Sequence, residues 1–124
     1  MYTFDSYAWL EYFLAGTKGK EVLVIVNSKE QILTPSIALA EIKVRLTKDK
    51  IDAEQIAGIL DFIGKRSKIL NINKEISLLA ANLKIKHNLY LIDALIYASA
   101  IFTDSELLTG DLHLKGFDKI KFLE

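Results

Sequence analysis

The sequence contains no cysteine, a single proline and no long apolar run. Without cysteine, disulfide bonds and thiolate metal sites are excluded. No uncharged stretch approaches the roughly 20 residues that a bilayer-spanning helix needs. Residues 1–5 lack the basic and then apolar pattern of a signal peptide, and no Gly/Ser-rich linker or internal repeat divides the chain. We therefore expect a soluble cytoplasmic protein without membrane contact, built as one domain over residues 1–124.

Neither positively nor negatively charged residues are in excess. Lys plus Arg and Asp plus Glu each number 16, so the net charge is zero and nothing attracts the whole protein to nucleic acid. The sequence has no phosphate-binding loop, Ser-His-Asp arrangement or Gly-rich dinucleotide fingerprint. Apolar residues make up 51% of the chain, enough for a sizeable core. Any chemistry must therefore come from individual side chains that the fold brings together.

Short apolar segments alternate with longer helical patterns, which predicts a parallel sheet covered by helices. The expected strands are residues 2–4, 31–33, 68–72, 106–109 and 119–123, and the expected helices are residues 6–14, 35–46, 52–65, 74–87 and 94–102. Thr34 is expected to cap the second of these helices, with Pro35 at its first position. Residues 18–28 suit a strand or a short helix. The predicted fold is a three-layer α/β/α domain with a mainly parallel central sheet of four or five strands.

Four acidic residues occupy positions at which this fold would gather them: Asp5, Glu41, Asp93 and Asp111. Asp5 and Asp111 follow predicted strands, and the carboxyl ends of parallel strands lie at one edge of a sheet. Glu41 falls on an apolar stripe with Ile37 and Val44, and Asp93 is expected to open the most apolar helix. Crowded carboxylates repel one another, and a divalent cation removes that repulsion.

Simpler interpretations exist for each residue. Asp before a helix is an N-cap, which would explain Asp5 and Asp93, and Asp111 after a glycine is typical of a turn. Glu41 has an i+4 partner in Arg45, with which it could form a surface ion pair.

His87 and His113 are candidates for metal ligation or acid–base work, although isolated histidines usually lie on the surface. Among the basic residues, Lys43, Arg45 and Lys115 are the candidates for steering a phosphate.

Segments 4–6, 36–41, 92–100 and 108–116 carry a wider resemblance. They read FDS, SIALAE, IDALIYASA and LTGDLHLKG, with the four acids separated by 36, 52 and 18 residues. In this order and spacing, the chain resembles the PIN-domain family, and within it the VapC-type toxin ribonucleases. One departure is Leu114, where many relatives carry an aromatic residue; leucine preserves the packing role.

The resemblance implies a metal-dependent endoribonuclease, the toxin of a type II toxin–antitoxin pair. Asp5, Glu41, Asp93 and Asp111 would be both the catalytic residues and the ligands of Mg²⁺ or Mn²⁺, supported by the hydroxyls of Ser6 and Thr109. It further implies an RNA substrate, a cognate antitoxin and a homodimer, and it favours a helix for residues 18–28.

Two other functional classes compete with this interpretation. A receiver-like regulatory domain also places acids at strand ends, but it needs paired acids after the first strand and a lysine after a late one. Asp5 has no acidic neighbour, and no such lysine is evident. A PIN-like module that binds RNA or protein without cutting is the second alternative, against which the presence of all four acids argues.

Overall fold

The computed structural model describes residues 1–124. The strands are β1 (Tyr2–Phe4), β2 (Ile32–Pro35), β3 (Lys68–Leu70), β4 (Glu106–Thr109) and β5 (Ile120–Phe122). The helices are α1 (Ser6–Phe13), α2 (Gly19–Val26), α3 (Ser36–Lys48), α4 (Ala53–Arg66), α5 (Lys74–His87) and α6 (Leu91–Phe102), and a short 3-10 helix spans Leu112–Leu114. The ambiguous segment at residues 18–28 contains a helix, as the family resemblance predicted.

All five strands pair in parallel, in the order β3-β2-β1-β4-β5. Tyr2 pairs with Ile32 on one side and Glu106 on the other. Because every strand runs the same way, the segments that leave β1, β2 and β4 emerge at one edge of the sheet. The predicted three-layer α/β/α fold, with a mainly parallel sheet of four or five strands, is confirmed; the sheet has five strands and all of them are parallel.

Apolar side chains cover both faces of the sheet. One buried cluster includes Trp9, Val22, Ile42 and Ile63, which come from α1 to α4. The other includes residues of α5 and α6, such as Ala80 and Ala98, together with Leu107 of β4. The helices therefore form a layer on each side of the strands. None of them combines the length and the apolar character that a membrane span requires.

Two predicted helix starts are wrong. Thr34 does not cap α3: it lies in β2 with its hydroxyl buried, and Pro35 is the N-cap, with the extended angles φ −60° and ψ 138°. Proline at that position ends the strand and removes a backbone donor. Asp93 does not open α6, because Leu91 and Ile92 already form its first turn behind Tyr90. Asp93 is thus a first-turn residue, still close to the helix N-terminus.

The predicted apolar stripe of α3 is also displaced. The buried residues of this helix are Ala38, Ile42 and Leu46, whereas Val44 is 55% exposed. Glu41 lies at the border of the buried face and is half-buried. The carboxylate therefore reaches the carboxyl edge of the sheet without entering the core.

Candidate active site

Asp5 is the most enclosed of the four acids. It directly follows β1 and caps α1, where its Oδ1 accepts a hydrogen bond of 2.8 Å from the backbone N–H of Ala8. Only 6% of the residue is exposed. The capping interpretation is therefore correct as local structure, but the Thr109 hydroxyl also hydrogen-bonds to this carboxyl, so its role extends beyond the cap.

Glu41 is oriented by a hydroxyl and not by a cation. The Oγ of Ser6 donates to Glu41 Oε1 at 3.1 Å. Arg45, the expected i+4 partner, instead forms an ion pair of 2.9 Å with Asp49. The ion-pair interpretation of Glu41 is therefore wrong, and its carboxylate faces the same edge as Ser6 and Asp5.

Asp111 is held by the backbone on both sides. Its own N–H donates to Thr109 Oγ1 at 3.0 Å, and its Oδ1 accepts the backbone N–H of His113 at 2.9 Å as the cap of the 3-10 helix. The predicted turn role is thus observed. Gly110 permits the close approach of this segment to α1, because a Cβ there would lie 2.2 Å from the Tyr7 ring.

The acids Asp5, Glu41, Asp93 and Asp111 line one open cleft, which we call the acid cleft. Its volume is about 450 Å³. The other lining residues are Ser6, Tyr7, Ile96, Gly110, Leu112 and His113. No lysine or arginine is among them, so Lys43, Arg45 and Lys115 do not neutralise the cluster. Lys115 pairs instead with Glu124 at 3.4 Å.

Desolvation and mutual repulsion act together on these carboxyls. Burial raises the pKa of Asp5 to about 7, against hydrogen bonds from Thr109 and Ala8 that lower it, with the charges of Glu41 and Asp111 raising it further. Burial likewise raises the pKa of Glu41, which the Ser6 hydroxyl opposes and the Asp111 charge reinforces. Asp111 thus acts on both residues.

Asp93 responds to the same neighbours. Burial raises its pKa to about 6, followed by the charge of Asp111, a hydrogen bond to Asp111 and the charge of Glu41. Burial and neighbouring negative charge thus hinder the ionisation of Asp5, Glu41 and Asp93, and such an arrangement favours the binding of positive charge.

His113 joins the acids, and His87 does not. The Nδ1 of His113 lies 2.9 Å from Asp111 Oδ1, and potential ligand atoms of Asp93, Asp111 and His113 all lie within 4.8 Å of one another. His87 packs its ring on Phe117, with a centroid distance of 4.7 Å. The sequence signal that separates the two histidines is the Asp-x-His spacing at residues 111–113, which places both side chains in one turn.

A protein-family model for the PIN domain matches residues 2–123. The chain belongs to the PIN-domain family. The resemblance expected from the four acidic segments is therefore confirmed. No relative was found for this PIN domain among curated protein sequences.

Solved structures share the fold of this PIN domain. A toxin–antitoxin complex from Klebsiella pneumoniae matches with a TM-score of 0.83 and 21% identity, covering 100% of this chain and 98% of that one. VapBC2 from Rickettsia felis, bound to a DNA fragment from its promoter, matches with a TM-score of 0.79 and 19% identity, covering 99% and 98%. VapC20 from Mycobacterium tuberculosis, a toxin that cleaves the sarcin-ricin loop, matches with a TM-score of 0.76 and 14% identity, covering 98% and 99%.

PIN nucleases use divalent metal ions, and this PIN domain has an acidic cluster that could hold one. Carboxylate oxygens are the hard ligands that Mg²⁺ and Mn²⁺ prefer. The donor set of the acid cleft, uncompensated by any lysine or arginine, therefore fits such an ion.

Proposed function

We propose that the chain is a metal-dependent endoribonuclease and the toxin of a type II toxin–antitoxin pair. The observation that carries the proposal is the acid cleft: four carboxyl groups from four separate segments meet at the carboxyl edge of a parallel sheet, with no lysine or arginine among the lining residues. Ions bound only for stability do not require an open cleft, whereas a phosphodiester must enter one.

In this proposal Asp5, Glu41, Asp93 and Asp111 hold Mg²⁺ or Mn²⁺. The bound ion would supply Lewis-acid chemistry, polarising a phosphodiester oxygen and lowering the pKa of the attacking water. Asp5 is the fixed point of the site, because the N–H of Ala8 and the hydroxyl of Thr109 both stabilise its carboxylate. Ser6 keeps Glu41 turned towards it.

Asp93 and Asp111 are the acids suited to move a proton. Both are only half-buried and line the open side of the cleft, beside Leu112 and His113. In the proposed reaction either group accepts a proton from the attacking water, whose oxygen bonds to phosphorus as the P–O3′ bond breaks. The 3′-oxygen leaves and takes up a proton from solvent, which gives a 5′-phosphate and a 3′-hydroxyl.

The substrate in this proposal is RNA presented as a single strand or loop. An open cleft can admit a splayed-out strand, but it cannot read the base edges of an A-form duplex. The similar structures support the biological role: two come from toxin–antitoxin complexes and one is a toxin that cleaves the sarcin-ricin loop. We accordingly include a cognate antitoxin, a homodimer and a cytoplasmic location in the proposal.

The experiment combines RNA cleavage with metal binding. The purified chain is incubated with total RNA in Mg²⁺, Mn²⁺ or excess chelator, and thermal unfolding is recorded in the same buffers. We expect cleavage only with metal, and a gain in unfolding free energy of about 2.7 kcal/mol when the ion is 100-fold above its Kd. Stabilisation without cleavage would indicate a PIN-like binding module. The absence of both cleavage and stabilisation would overturn the proposal.

A further inference from the structure

A second cleft lies beside the acid cleft, and the proposed mechanism does not use it. Its volume is about 330 Å³, within the range of small-molecule sites. It is lined by Lys84, His87, Asn88, Leu89, Tyr90 and His113. These residues come from the end of α5, the connection to α6 and the 3-10 helix, so the cleft is built from three separate parts of the chain.

The connection that forms this second cleft is well fixed. Asn88 ends α5 in the left-handed conformation, with φ 55°, which asparagine tolerates better than most residues. The Lys84 ammonium donates to the carbonyl of Leu89 at 2.9 Å, and the Leu89 side chain is buried in the core. Tyr90 follows immediately, so its backbone position is set from both sides.

The chemistry of the second cleft is opposite to that of its neighbour. It contains no acidic residue, while two imidazoles, an amide and an ammonium supply hydrogen-bond donors. The Tyr90 side chain offers an aromatic ring that is 69% exposed. That ring meets His113 edge to face, with centroids 5.5 Å apart and an angle of 85°. An exposed aromatic ring among hydrogen-bond donors suits a nucleobase, which stacks on the ring and offers acceptors at its edge.

His113 joins the two clefts, since it lines both. Its ring contacts Tyr90 on one side and Asp111 on the other, at 2.9 Å from Nδ1 to Oδ1. A group in the second cleft is therefore one side chain away from the acids. A phosphodiester at the acids would bring an adjoining nucleotide to this position.

We propose that the second cleft is a nucleotide subsite, in which a base next to the cut phosphodiester of single-stranded RNA stacks on Tyr90. The donors of His87, Asn88 and His113 surround the base edge, so this subsite contributes to sequence preference. The inference rests on the proposed function, because it takes RNA as the substrate. It differs from that proposal in assigning a binding role to residues outside the acid cleft.

Tyr90→Ala and Tyr90→Phe test the subsite. Tyr90 makes no side-chain capping bond, so either substitution should preserve α6, which circular dichroism checks. The control is Phe102→Ala: Phe102 is also exposed, at 48%, but it ends α6 about 18 Å further along the axis. All three are combined with Asp5→Asn, so that the RNA is bound but not cut.

The probe is a fluorescent pool of single-stranded RNA of random sequence, measured by anisotropy. We expect Tyr90→Ala to weaken binding about 5- to 100-fold, as loss of one base–aromatic stack does. Tyr90→Phe should stay within about twofold of its parent, because the ring is retained, and Phe102→Ala should bind like its parent. Photocrosslinking of the same pool containing 4-thiouridine should label the peptide that carries Tyr90.

The two proposals fail separately. The subsite is overturned if Tyr90→Ala binds RNA as tightly as its parent, or if the crosslinks are confined to other surfaces, even when the wild-type chain cleaves RNA. The second cleft would then be a candidate contact for a partner protein. A chain that never cleaves RNA, yet binds it through Tyr90, overturns the nuclease and keeps only the stacking of an RNA base on Tyr90.

Discussion

Polar side chains reach the sheet in two very different ways. On each face, hydroxyls form a neutral chain of hydrogen bonds. Trp9 Nε1 donates to Thr34, Thr34 is bonded to Ser67 at 2.7 Å, and Ser67 donates to the carbonyl of Ile63. On the other face, Thr3, Ser105 and Thr103 are linked in the same manner. At the carboxyl edge, four acids meet with no lysine or arginine among them.

The difference separates folding from function. No buried side-chain nitrogen or oxygen lacks a hydrogen-bond partner, so the hydroxyl chains stabilise the fold without needing anything further. Asp5, Glu41 and Asp93 are hydrogen-bonded too, yet their ionised forms are penalised by burial and by neighbouring negative charge. In the acid cleft the hydrogen-bond partners are present but the negative charge is not balanced. A positively charged ligand should therefore bind there.

Asp5→Asn should have the largest effect, because it changes the charge of the acid cleft and leaves the fold intact. Asparagine is as good an N-cap as aspartate, so the bond from Ala8 is retained while one negative charge leaves the cleft. RNA cleavage should fall by about 1,000-fold or more, as expected for a residue that acts as part of a catalytic unit. Stability in chelator should be unchanged or slightly higher, since a repelling group is lost. Cleavage rates and urea unfolding measure the two effects.

Asp52→Asn is the matched control for that variant. Asp52 caps α4 through a bond of 2.9 Å from Gln55 N, but it is exposed and away from the acids. Both substitutions remove one carboxylate from a helix cap, and only one alters the cleft. Similar activities in the two variants would show that the charge of Asp5 has no special role.

Lowering the pH should stabilise the metal-free chain, because the carboxyls of the acid cleft, unlike the hydroxyl chains, change charge with pH. The pKa values of Asp5 and Asp93 are raised from 3.8 to about 7 and about 6, so the folded state holds protons that the unfolded state has released. Stability from these groups is fully present below about pH 4 and is lost as the pH rises to about 7. We expect Asp5 alone to account for a loss of about 2–3 kcal/mol between about pH 5 and about pH 8, to which the half-exposed Asp93 adds a smaller contribution that solvent screens.

Urea unfolding at the two pH values, with chelator and with excess Mg²⁺, measures this difference. Bound metal favours the ionised carboxyls, so it should reduce or reverse the pH dependence. Asp5→Asn should weaken it in chelator. A pH dependence identical in the wild type and Asp5→Asn would contradict the assignment of the effect to Asp5.

The fold was largely predictable because its signals are local. Alternating apolar segments and helical stripes predicted all five strands and the layer order. The errors at Thr34 and Asp93 arose where one residue suits two roles. A threonine before proline resembles a helix cap, but the indole of Trp9, which is 25 residues away in sequence, uses the hydroxyl of Thr34 as an acceptor. Pairing between distant residues leaves no trace in a local pattern.

The candidate site was predictable in membership but not in detail. Asp5 and Asp111 follow strands, Asp93 lies in the first turn of α6 and Glu41 is the sixth residue of α3, so the parallel topology brings them towards one edge of the sheet. The partner of Glu41 was missed, because Ser6 and Arg45 both lie within reach in sequence terms and only the packing of α1 against α3 favours the serine. The cleft around Tyr90 had no sequence signal, since it depends on a loop conformation fixed by Asn88 and Lys84.

Thr34→Val should have the smallest effect, and it should change the stability of the fold without changing the acid cleft. Valine keeps the branched shape that suits β2 but cannot accept the indole N–H of Trp9, which is fully buried. A buried donor left without a partner costs about 1–2 kcal/mol of unfolding free energy, while Ser67 retains the carbonyl of Ile63. Urea unfolding should show this loss, and Mn²⁺ affinity should equal that of the wild type. Weakened Mn²⁺ binding in Thr34→Val would mean that the hydroxyl chain helps to shape the acid cleft, so that the neutral interior and the charged edge are not independent.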